Sequence, residues 1–183
     1  MSFRASTQRR SIIGVFIITL GLLFSSLSPA LAVDTRTIDI AQVTWSGAPK
    51  PSVTLADIQS SLSQVEKNWL NFTTIQNDPK DRAIDFIYGT RLDTSIAINS
   101  RFQCESANFT SFINSIREST YKQLGIANYT DRYLVILVPA SGCIWSGRAL
   151  MGSATTKGGS LVLHNTADQF VITHELGHTL GLG

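Results

Sequence analysis

The chain has 183 residues, 15 Lys and Arg against 13 Asp and Glu, and a formal net charge of +2. Hydrophobic residues make up 43% of it and charged residues 15%, enough apolar material for a cored domain. No Lys/Arg cluster stands out, so nucleic-acid binding has no electrostatic footprint here.

The first 32 residues read as a secretory signal peptide. Arg4, Arg9 and Arg10 give a positive start, residues 11–24 an apolar run, and Ala30-Leu31-Ala32 a small-residue cleavage site. The run is short for a spanning helix. Cleavage is expected after Ala32, giving a secreted protein, extracellular or periplasmic, with no stable membrane association; retention as an N-terminal anchor is the alternative. Twelve basic and thirteen acidic residues then remain, a net charge of −1, on 151 residues that suit one domain.

Residues 36–45 place Ile38, Ile40, Val43 and Trp45 among polar neighbours and predict a first strand. Gly47, Pro49 and Pro51 mark a loop. Thr54 with Asp57 three residues later is a capping-box variant that opens a helix. Leu55, Ile58, Leu62, Val65 and Trp69 follow at helical spacing as a core-facing stripe. The helix is expected to fade near Asn71, with Asn77-Asp78-Pro79 as the exit.

Residues 83–88 and 94–99 predict short strands separated by Gly89-Thr90 and Leu92-Asp93. From Asn108, the apolar series Phe109, Phe112, Ile113, Ile116, Tyr121 and Leu124 predicts a second amphipathic helix, ended by Gly125. Residues 133–138 are continuously apolar and fit a strand buried on both faces. Residues 140–159, rich in Gly and Ser, read as loop, and residues 160–164 as a last strand. Strands alternating with helices predict an α/β (α+β) domain with a mixed, mostly parallel sheet and helices packed against it. No internal repeat appears.

Cys104 and Cys143 are the two cysteines. An even count in a secreted chain points to one disulfide, worth on the order of 2–4 kcal/mol. Free thiols, or one thiolate acting as an inhibitory metal ligand, are the alternatives. Three N-x-T sequons, at Asn71, Asn108 and Asn128, matter only in a glycosylating host.

The last stretch carries the chemistry. Thr166 or Asp168 can cap a helix holding His174-Glu175-Leu176-Gly177-His178, an H-E-x-x-H run. Residues four apart share a helix face, so His174 and His178 can offer two imidazoles to one metal ion. Glu175, about 100° round the helix, can serve as a base without being a ligand. Thr179-Leu180-Gly181 extends the run to H-E-x-x-H-x-x-G, and Gly181 suits a left-handed position that turns the chain sharply. His164, on the preceding strand, matches no ligand position and reads as structural.

On these residues the chain resembles the N-terminal part of a metzincin catalytic domain, most like the gametolysin-type and reprolysin-like metallopeptidases. The resemblance implies a zincin-like sheet with one antiparallel edge strand and a Zn2+ cofactor held by His174 and His178. It also implies hydrolysis of a protein or peptide by a zinc-activated water with Glu175 as general base. The edge strand that pairs with substrate would lie near Trp145, Gly147 and Gly152, or at residues 160–164. The family's third His would follow Gly183, and its Met-containing turn later still, so the chain reads as a fragment of that domain. A catalytically inactive secreted binding or adhesion module on the same fold is the competing reading.

Overall fold

The computed structural model describes residues 33–74, 83–104 and 107–183. The expected signal peptide and the Asn77-Asp78-Pro79 exit lie outside them. Residues from Val33 onward pack as one unit.

Among the described residues, six strands and three helices follow one another along the chain. They are β1 (Val33–Thr44), α1 (Leu55–Thr74), β2 (Ala83–Arg91), β3 (Ile96–Ala97), α2 (Phe109–Leu124), β4 (Tyr133–Val138), β5 (Gly147–Ala149), β6 (Gly159–His164) and α3 (Gln169–Thr179). The sheet order is β2-β1-β4-β6-β5, with β3 a further partner of β1. Every pairing is parallel except β5 with β6. This is the mixed, mostly parallel α/β sheet with one antiparallel edge strand that the sequence predicts.

β4 explains why its run is continuously apolar. Tyr133, Val135 and Leu137 face a core shared with α1 and α3, while Leu134, Ile136 and Val138 face a second core shared with α2. All six residues are buried, as a central strand covered on both faces requires.

The helix boundaries follow local chemistry. The Thr54 N–H and Oγ1 both donate to Asp57 Oδ2, at 2.7 and 2.8 Å, and the Asp57 N–H donates back to Thr54 Oγ1 at 3.2 Å. This reciprocal cap starts α1, which buries Ile58, Leu62, Val65 and Trp69. The helix runs to Thr74, beyond the predicted fade at Asn71. α2 begins after Asn108 and closes on Gly125, as expected.

Three predicted strands need correction. β2 continues through Gly89-Thr90 to Arg91, because the Thr90 N–H is taken up by Asp39 Oδ1 at 2.9 Å. Of residues 94–99 only Ile96–Ala97 pair. Residues 160–164 form a strand as expected but not an edge: β6 lies between β4 and β5, and the edge is β5, within the 145–152 stretch where the resemblance puts it though the residues there read as loop.

Two cross-links brace the sheet. Asp39, with no exposed surface, accepts from Arg132 Nε and Nη2 at 2.6 Å each and from the Tyr121 hydroxyl at 3.0 Å. Cys104 and Cys143 form a disulfide that ties the segment before α2 to the loop entering β5. Their thiolates are therefore not available to a metal.

Candidate metal centre

α3 starts where the Asp168 carboxylate accepts the Phe170 N–H at 2.7 Å. Ile172, Leu176 and Leu180 recur every four residues and are buried against α1 and the sheet. That stripe turns the other four-residue series, His174 and His178, away from the core. His174 is exposed and His178 half-buried.

The C-terminal end of α3 is a Schellman turn. The Gly181 N–H donates to His178 O and the Leu182 N–H to Gly177 O, both at 3.0 Å, with Gly181 at φ 83°. The reversal brings the Leu182 carbonyl to 2.8 Å from His178 Nδ1. A carbonyl can only accept, so Nδ1 carries the proton and the Nε2 lone pair is left for a ligand role.

The Nε2 atoms of His174 and His178 lie 3.1 Å apart, with the rings nearly perpendicular at 83°. Two nitrogens held about 2.0–2.1 Å from one tetrahedral ion would be separated by roughly 3.3 Å, so the pair fits a metal without rearrangement. One ligand atom from each of His174, Glu175 and His178 falls within a 4.8 Å group.

Glu175 is 6% exposed, and its buried Oε2 meets no hydrogen-bond partner among the described residues. Burial raises its pKa above the usual carboxylate range, against the opposing pull of His178, His174 and the Ala149 backbone. A buried carboxylate with one unpartnered oxygen and a raised pKa is suited to taking and giving a proton.

β5 runs beside this group. The His164 N–H donates to Ser146 O at 2.9 Å and the Leu150 N–H to Ser160 O at 3.1 Å. By the alternation of an antiparallel ladder, residues 146, 148 and 150 turn toward β6, while Gly147 and Ala149 turn their N–H and C=O outward. Among the described residues, no strand pairs with that outer edge.

The predicted site residues separate accordingly. Trp145 and Gly147, with Phe170, Val171, His174 and Glu175, line one open cleft. Trp145 precedes β5 and packs edge-on against Phe102 and His164. Gly152 lies beyond β5 and does not line the edge; its N–H donates to His178 O at 3.0 Å. His164 Nε2 accepts the Ser141 N–H at 2.8 Å, a structural role as expected.

A second cleft, past His174, is lined by Trp69, Phe72, His178 and Leu182. Sequence reasoning missed Phe72 and Phe170 as rim residues, since each belongs to an apolar helical series; they are 61% and 71% exposed. It also missed the Leu182 carbonyl, a backbone atom that no side chain announces.

No family model and no curated protein matches the chain. Among solved structures, the fold is similar to that of metalloproteinase-II from Bacteroides fragilis, with a TM-score of 0.55 and 20% identity over 84% of this chain and 44% of that one. The chain thus spans less than half the length of that protein. A chaperone-substrate complex also matches, with a TM-score of 0.38 and 21% identity over 82% of this chain and 27% of that one. At these identities the first likeness is one of fold, and the second supports nothing further.

Proposed function

We propose that the chain is the N-terminal part of the catalytic domain of a secreted zinc endopeptidase of metzincin type, with residues 1–32 as its signal peptide. The observation that carries this reading is the pairing of two imidazole Nε2 atoms 3.1 Å apart with the buried carboxylate of Glu175, beside an open antiparallel edge. The metalloproteinase-like fold supports it.

His174 and His178 would hold the ion. When bound, zinc supplies Lewis acidity that polarises a carbonyl and lowers the pKa of water. The chain's own residues do the rest. The outward backbone groups of Gly147 and the Ala149 carbonyl receive the substrate as an added antiparallel strand, the Ala149 N–H being taken up by Glu175. Glu175 takes the proton from the attacking water and delivers it to the leaving amine. Leu182 holds His178 in its Nδ1–H form.

The test uses the full-length protein with zinc and an extended peptide. Glu175→Gln keeps size and polarity; zinc content should persist while cleavage falls by about 10²–10⁴-fold. His178→Ala should lose both zinc and cleavage. Near-normal cleavage by Glu175→Gln would overturn the mechanism. A wild-type protein that binds one zinc and cleaves nothing would be a binding module.

A further inference from the structure

β5 and the turn after it approach α3 more closely than any side chain would allow at two points, and both points are glycines. A Cβ on Gly147 would sit 2.6 Å from Glu175 Cγ, 2.8 Å from Val171 Cγ1 and 2.9 Å from Glu175 Oε1. A Cβ on Gly152 would sit 1.9 Å from the Thr179 carbonyl oxygen and 2.8 Å from its carbon. The first clash is with the side chain of the proposed base. The second is with helix backbone, which cannot swing aside.

Gly152 is bonded as well as close. Its N–H donates to His178 O at 3.0 Å, the same carbonyl that accepts the Gly181 N–H. A Cβ on Gly181 would in turn lie 3.0 Å from Gly152 O. The turn after β5 and the Schellman turn after α3 therefore interlock, and Leu182, whose carbonyl holds His178 Nδ1, follows directly.

We infer that Gly147 and Gly152 are positioning residues for the metal centre, a proposal that rests on the function proposed above. Gly147 makes room for the Glu175 carboxylate beside the strand edge, and so acts on proton transfer. Gly152 clamps the C-terminal turn of α3, and so acts on the orientation of His178 and on metal affinity. The two glycines divide one contact between the base and a ligand.

The experiment compares Gly147→Ala and Gly152→Ala with wild type in the full-length protein. Zinc affinity is read by chelator competition, kcat and KM with an extended peptide, and the His178 tautomer by long-range ¹H–¹⁵N correlation in zinc-free protein. Gly152→Ala should weaken zinc binding by about tenfold or more, the scale of a lost support behind a metal ligand, and should lose the pure Nδ1–H signature. Gly147→Ala should keep zinc affinity within about threefold of wild type while kcat falls at least tenfold, a divergence that a general loss of fold would not produce. A folded Gly152→Ala with wild-type affinity and tautomer, or a Gly147→Ala with wild-type kcat, overturns the inference. Should Gly152→Ala fail to fold, exchange of the Gly152 amide in wild type decides: added zinc should slow it, and an unchanged rate counts against the clamp. A wild type that binds no zinc refutes the proposed function instead, while the zinc-free tautomer still tests the clamp.

Discussion

Asp39 is fully buried yet accepts four hydrogen bonds, two from Arg132 and one each from Thr90 and Tyr121. Through them a single carboxylate joins β1, the end of β2, the last turns of α2 and the residue entering β4. Removing one partner of such a pair strands the other charge, which costs more than the pair contributes. Asp39→Ala is expected to lower unfolding free energy in urea by about 3–5 kcal/mol. A change below ~1 kcal/mol would mean that Arg132, 25% exposed, is adequately solvated without it. At this scale the site was partly legible. His174, Glu175 and His178 stand out because chemistry and helical period coincide at those positions. The Leu182 carbonyl did not, because any residue at that position would present the same backbone atom.

α3 is short, and its N-cap lies roughly one and a half turns before His174 and nearly three turns before His178. Asp168→Ala removes the bond to the Phe170 N–H and should cost about 1 kcal/mol of stability, measured by denaturant titration. Fraying would affect Gln169 and Phe170 first, so zinc affinity should stay within about threefold of wild type; a larger loss would show that the ligand turn depends on the cap. Elements with a local cause were legible: α1 from the Thr54–Asp57 cap, α2 from its stripe and Gly125, β4 from an apolar run too dense for a one-sided strand. β5 was not. Gly-Arg-Ala has neither alternation nor β-branched residues, and becomes a strand because β6 pairs with it and α3 receives its glycine backbone. β2 likewise crosses Gly89 only because Asp39, distant in sequence, satisfies Thr90.

At the scale of the whole molecule, the Cys104–Cys143 bridge closes a loop across 39 residues, from the entry of α2 to the entry of β5. Replacing both cysteines by serine should cost about 2–4 kcal/mol, measured by urea midpoint with the slope unchanged. Hydrogen exchange should then show β5 opening well before β4, since the bridge lies four residues from one and in the core of neither. The sheet's two outer edges are finished differently. On β2, side chains of α1 occupy outward amides: Thr73 Oγ1 accepts from Ile84 N–H at 2.9 Å and Glu66 Oε1 from Tyr88 N–H at 2.6 Å. On β5 the Ala149 N–H likewise meets a helix side chain, that of Glu175, but among the described residues no strand lies beside the outward groups of Gly147 or the Ala149 carbonyl. Under the proposed function, an extended polypeptide seeking a sheet to join would be turned away at one border and received at the other. Backbone pairing there, indifferent to side chains, would bring whatever chain it captures to the side of the molecule where the two imidazoles and the carboxylate stand.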